Sequence, residues 1–134
     1  MEYDYRIKLI IVGNRNVGKS CLFNRLQGKY ETPTTTVGVD FLSYIKYSNE
    51  IKTKITIWDT AGQERYLSII RAYFREVAGI ILMFDLTEYT TLHDCKKWLD
   101  IIKSEIKCNC NHPILLLGNK NDLKGALTEE ELIE

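Results

Sequence analysis

A doubly wound α/β fold, its sheet mostly parallel with one antiparallel hairpin strand and helices on both faces, is what three observations in this chain of 134 residues predict. The first is the octamer Gly13-Asn14-Arg15-Asn16-Val17-Gly18-Lys19-Ser20, set between an apolar run that ends at Val12 and a helix-forming segment from Ser20 to Leu26. The second is the recurrence of short continuous apolar runs, Leu9 to Val12, Gly79 to Phe84 and Ile114 to Leu117, which read as strands buried on both faces. The third is a pair of strand-like runs joined by a short polar turn, the pattern of a hairpin.

Arg6 to Val12 is the first expected strand, and the GxxxxGKS octamer that leaves it is a P-loop with a physical cause. Gly13 and Gly18 permit backbone angles and a close approach that side chains would block, so successive N–H groups can point at phosphate oxygens. Lys19 is placed to reach the β- and γ-phosphates and Ser20 to offer its hydroxyl to Mg²⁺, while the positive end of the next helix adds to the attraction for anions. The expected nucleotide-binding set therefore runs through Gly13, Asn14, Arg15, Asn16, Val17, Gly18, Lys19, Ser20 and Cys21.

After that helix, Thr32-Pro33-Thr34-Thr35-Thr36 lacks apolar periodicity and reads as an exposed loop. Val39 to Tyr47 is strand-like, turns at Ser48-Asn49-Glu50 and resumes from Lys52 to Trp58. There it meets Asp59-Thr60-Ala61-Gly62-Gln63-Glu64: an acid at the carboxyl end of a strand before a glycine-bearing loop, where doubly wound sheets contact ligands. Tyr66 to Arg75 can form a short helix, and Gly79 to Asp85 is a buried strand. Leu92 to Ile106 has helical spacing, with Thr90 or Thr91 as N-cap and Trp98 assigned to the core. Pro113 to Leu117 is the last strand, running into Gly118-Asn119-Lys120-Asn121-Asp122, and Thr128 with Glu131 has the spacing of a capping box.

Composition narrows the partners. Lys+Arg and Asp+Glu both number 18, so no bulk field favours nucleic acid or an anionic membrane. Cys21, Cys95, Cys108 and Cys110 form no CxxC pair, and Cys108 to His112 lacks the further ligands a zinc site needs, so the thiols read as reduced, in a cytoplasmic protein. The first residues are too polar for a signal peptide, and no apolar run reaches membrane-spanning length.

Lys19 and Ser20, the threonine loop, Asp59 to Gln63 and Asn119 to Asp122 together resemble the small GTPases of the Ras superfamily, whose fold is the P-loop NTPase type. Val37-Gly38-Val39-Asp40-Phe41, Lys54 to Trp58, Gln63 to Ile69 and Ala72-Tyr73-Phe74-Arg75 are similar to the Rab family in particular. The resemblance implies a GTP/GDP-binding switch in vesicle trafficking that slowly hydrolyses GTP with Mg²⁺. It also implies roles. Thr36 and Ser20 bind Mg²⁺, and Asp59 holds it through water. Gly62 offers its N–H to the γ-phosphate, and Gln63 orients the attacking water as the catalytic residue. Asn119, Lys120 and Asp122 match the NKxD motif; a carboxylate at Asp122 can accept from both guanine N1–H and the 2-amino group, a donor pair that adenine lacks. Tyr30 either packs on the guanine ring or is a half-buried loop tyrosine. Phe41, Trp58 and Tyr73 stand where the family has an aromatic triad for effectors and regulators, a placement that spacing does not separate from core packing.

Three departures shape what is expected. Arg15 occupies a position that is small in the family's best hydrolysers, and a long cation there would obstruct Gln63 or an incoming arginine finger. The interval from Lys19 to Thr36 is shorter than is usual. The last strand, the final helix and the prenylated tail of the family have no counterpart before Glu134. Residues 1–134 are thus expected to be one G domain, incomplete at its C-terminus and with no lipid anchor, whose bared sheet face promotes self-association. The alternative expectation is a truncated, weakly active or inactive Rab mimic that binds regulators or effectors.

Overall fold

Tyr5–Gly13 forms β1, and the four other strands assemble around it in the order β2-β3-β1-β4-β5. In this computed structural model, which describes residues 2–28, 39–60, 74–106 and 112–133, the chain runs β1, α1 (Lys19–Leu26), β2 (Val39–Ser48) and β3 (Ile51–Thr60). It continues through β4 (Gly79–Asp85), α2 (Tyr89–Glu105), β5 (Ile114–Asn119) and the short α3 (Glu129–Ile133). β2 pairs antiparallel with β3, whereas β1–β3, β1–β4 and β4–β5 are parallel. The expected architecture is the one found.

The hairpin turn is made by Asn49 and Glu50, at φ 48° and 67°. Positive φ at both central residues is what a two-residue loop needs if its twist is to match the strands. Residues of β1 and β4 alternate between two apolar clusters, as the period of a strand requires. Ile10, Val12, Ile80, Leu82 and Phe84 meet Cys95, Trp98 and Ile102 of α2 on one face, and Ile11 and Met83 meet Val17, Phe23 of α1 and Ile57 on the other. Each of these buried aliphatic side chains contributes roughly 1.5–3 kcal/mol.

Two expectations are corrected. Helix α2 starts at Tyr89 with Glu88 at the N-cap, so neither Thr90 nor Thr91 caps it. The Thr91 hydroxyl is engaged elsewhere: it accepts from the Asp85 N–H at 2.9 Å and donates to the Glu88 carbonyl at 2.7 Å, tying the first turn of α2 to the end of β4. Nor is β5 buried on both faces. Ile114, Leu115 and Leu116 are 40%, 56% and 52% exposed, because β5 lies at the sheet edge with only β4 beside it among the described strands.

The capping box at the last helix forms as expected: the Thr128 N–H donates to Glu131 Oε2 at 2.7 Å, and the Glu131 N–H to Thr128 Oγ1 at 3.3 Å. The short helix expected over Tyr66 to Arg75 lies outside the described residues up to Tyr73, and Phe74 to Glu76 form a turn. The threonine loop and Cys108 and Cys110 also lie outside them.

Candidate functional site

Parallel pairing brings the carboxyl ends of β1, β3, β4 and β5 to one edge of the sheet, with Ile11 beside Asp59, Gly13 beside Met83 and Asp85 beside Asn119. The loop from Gly13 to Gly18 sits at that edge, and both its terminal glycines are required by geometry. A Cβ on Gly13, at φ 148°, would strike the Met83 carbonyl, and one on Gly18, at φ 100°, would strike the Asn119 side-chain amide. Val17 is fully buried beneath the loop, and among the described residues no side chain caps the start of α1. The α1 N-terminus is thus set to add its partial positive charge to the loop.

Lys19 is only 6% exposed and donates to the Asn14 carbonyl at 2.7 Å. Burial pushes its ammonium down to about 8, against the opposing pull of the Asp59 charge. The Ser20 hydroxyl donates to Asp59 Oδ2 at 2.6 Å, so an alcohol and a carboxylate meet at the foot of the loop. Such oxygen donors suit a hard divalent cation that keeps most of its water and is shared with phosphates. The end of β3 is held against β1 by the Thr60 hydroxyl, which donates to the Ile11 carbonyl at 2.6 Å.

The segment after β5 reaches back to the same loop. Asn119 Nδ2 donates to the Val17 carbonyl at 3.0 Å, and Lys120 Nζ to the Asn16 carbonyl at 2.7 Å. Lys120, at φ 68°, also pairs with Asp85 Oδ2 at 2.7 Å. Burial pushes the Asp85 carboxyl up, but hydrogen bonds from Lys120 and Thr87 and the charge of Lys120 hold it below the usual carboxylate range. Asp122 follows in an exposed turn, while Arg15, Asn16 and Cys21 are exposed around the loop.

The structure therefore brings together Gly13 to Ser20, Asp59, Asn119 and Lys120, and leaves Asp122 close by in sequence on the adjoining turn. Tyr30, Thr36, Gly62, Gln63 and Tyr73 lie outside the described residues. Phe41 and Trp58, opposite each other on β2 and β3, stack with ring centroids 4.9 Å apart, and Lys8 Nζ lies 5.1 Å from the Trp58 ring. Phe41 is 56% exposed, whereas Trp58 is half-buried and packs against the cluster of Ile10 and Trp98, so the stack joins the surface to the core.

Two sets of contacts escaped the sequence reading. Asp85 had a usable signal, since it ends an apolar strand just as Asp59 does. The other set had none. Asn14 joins α2, accepting from Trp98 Nε1 at 2.9 Å and donating to Asp94 Oδ2 at 2.8 Å. That amide hydrogen bond, more than any other influence, holds the Asp94 carboxyl below its ordinary value. Trp98 is core, as expected, and also a donor to the loop.

A glycine-bounded loop between a central parallel strand and a helix, with a lysine and a serine at its close, defines a P-loop-type α/β protein. Comparison with known proteins makes this specific: the model of the Ras family matches residues 8–132, and the chain belongs to that family. It is Rab-like within it. It is 40% identical over 124 residues to "Ras-related protein RAB1BV" of Beta vulgaris, covering 91% of this chain and 57% of that protein. Against "Ras-related protein RABD2b" of Arabidopsis thaliana it is 41% identical over 124 residues, 91% of the chain and 60% of the relative. Against "Ras-related protein Rab-3B" of Homo sapiens the identity is 39% over an alignment of 142 positions, covering 98% of the chain and 64% of the relative. The chain thus spans between 57% and 64% of the length of these relatives.

Proposed function

We propose that this chain is a guanine-nucleotide switch of the vesicle-trafficking kind, acting in the cytoplasm, that binds GTP and GDP with Mg²⁺ and hydrolyses GTP slowly. The observation that carries the reading is the tie between Asn119 and Lys120 and the carbonyls of Val17 and Asn16, across sequence separations of 102 and 104 residues. A base-reading turn and a phosphate-reading loop have to be held at a fixed spacing if one nucleotide is to touch both, and these bonds supply that spacing.

In this reading Gly13 to Cys21 line the phosphates, and the buried Lys19 ammonium gains a strong anionic partner in the phosphate chain. Ser20, Thr36 and, through water, Asp59 would hold Mg²⁺, which would supply neutralisation of the phosphate charge. Gly62 donates to the γ-phosphate, Gln63 orients the water, and Asp122 reads guanine with Tyr30 near the ring. Arg15, exposed at the loop, keeps the rate low by crowding the place Gln63 and water need. The test is direct. The nucleotide released from purified protein is identified by chromatography, and labelled GDP·Mg²⁺ is titrated in. Guanine nucleotide in the extract and saturable binding are expected; an empty protein that does not bind labelled GDP would overturn the reading.

The exposed Phe41, stacked on the half-buried Trp58, favours a second role, as a docking surface, with Tyr73, for effector and regulator proteins. A feeble hydrolyser with this surface would still compete for such proteins. Exposed Leu115 and Leu116 on the β5 edge favour self-association with a second copy. Light scattering on a gel-filtered sample tests that, a strictly monomeric species being the contrary result.

A further inference from the structure

We infer that Trp98 and Asp94 of α2 are positioning residues for the phosphate loop: they hold the Asn14 side chain from both ends, so that the loop backbone is set for phosphate before phosphate arrives. The inference rests on the reading of that loop as the phosphate site.

The chemistry of the two partners leaves Asn14 one orientation. An indole N–H can only donate and a carboxylate can only accept, so the amide oxygen must face Trp98 Nε1, at 2.9 Å, and the amide nitrogen Asp94 Oδ2, at 2.8 Å. The carbonyl of the same residue accepts from Lys19 Nζ at 2.7 Å. Side chain and main chain of Asn14 are therefore both held, and the lysine meant for the phosphates is oriented by the peptide that α2 fixes.

The support behind it is rigid on one side and solvated on the other. Trp98 is 3% exposed, packed in the cluster with Cys95, Ile102 and Ile10, and its bond to Asn14 spans 84 residues. Asp94 stands at the rim, where Lys97 Nζ approaches its Oδ1 at 3.4 Å and leaves Oδ2 to Asn14. The loop is thus gripped from two directions, at Asn14 by α2 and at Asn16 and Val17 by the segment after β5. A polar loop held in its binding geometry loses less entropy when ligand arrives, and that gain appears chiefly as slower release.

The test pairs a buried with a rim substitution. In the nucleotide-free chain, Trp98→Phe and Asp94→Ala are expected to raise amide hydrogen exchange in the loop from Gly13 to Lys19 and leave β4 protected. With labelled GDP·Mg²⁺ bound, each is expected to speed release by about five- to tenfold, the worth of one such hydrogen bond. Asp94→Asn, which keeps an acceptor oxygen, should recover most of the loss. In an Asn14→Ala background Trp98→Phe should add nothing. Unchanged loop exchange in Asp94→Ala, a rise spread evenly over the sheet, or GDP release at the parent rate would each overturn the inference. If the parent chain takes up no GDP at all, the nucleotide reading fails, and the exchange measurement still decides whether α2 holds the loop.

Discussion

β4 and β5 run side by side, paired from Ile80 with Ile114 to Asp85 with Asn119, yet β4 is buried along almost its whole length and β5 is largely exposed. Their compositions are alike. The difference comes from neighbours: β4 lies between β1 and β5, with α2 on one face and the Val17–Phe23 cluster on the other. β5 has β4 alone among the described strands. At their carboxyl ends the contrast closes, because Asp85 of β4 meets Lys120 just past β5, and Lys120 and Asn119 both grip the phosphate loop. A buried strand supplies a fixed platform there, and an exposed one supplies the reach.

The largest effect is expected where the platform meets the ligand. Lys19→Ala removes a buried cation that would contact two phosphates, each charged hydrogen bond being worth about 1.5–3 kcal/mol. Labelled GDP·Mg²⁺ should then bind at least about 100-fold more weakly; undiminished affinity would mean that the loop is an ordinary strand-to-helix turn.

Next comes the contrast between the strands. Leu82→Ala on β4 empties a site 1% exposed and should lower stability by about 2–5 kcal/mol, whereas Leu116→Ala on β5 should change it by about 0.5 kcal/mol or less. Thermal melts of the two variants decide it, and equal losses would dissolve the contrast.

The smallest expected effect is on rate. Arg15→Gly should raise single-turnover GTP hydrolysis a few-fold and Gln63→Leu should lower it. A glycine variant no faster than the parent would show that bulk at the loop does not limit the reaction.

The sheet was legible because each apolar run was short, bounded by turn residues and of one period. The loop was legible because glycine at Gly13 and Gly18 answers a steric demand that few other sequences impose. The exposure of β5 is not legible in the sequence, since an apolar run reports preference for a strand and says nothing of how many neighbours it will have. The cap of α2 is not legible there either, because a threonine near a helix start can serve the preceding strand instead, as Thr91 does with Asp85. The bonds from Asn14 to Trp98 and Asp94 join residues at least 80 apart and follow no spacing rule, so only the folded chain reveals them.

The central claim, that the end of β5 and the phosphate loop together read a guanine nucleotide, is met most directly by the base preference of Asp122→Asn. The parent should prefer GTP to XTP in competition with labelled GDP, because the Asp122 carboxylate can accept from N1–H and the 2-amino group together. The variant should reverse that order, since an amide can donate to the carbonyl that replaces the amino group in xanthine. Reversal by about tenfold or more is the predicted result; a variant that keeps the parent's preference for GTP would contradict the account.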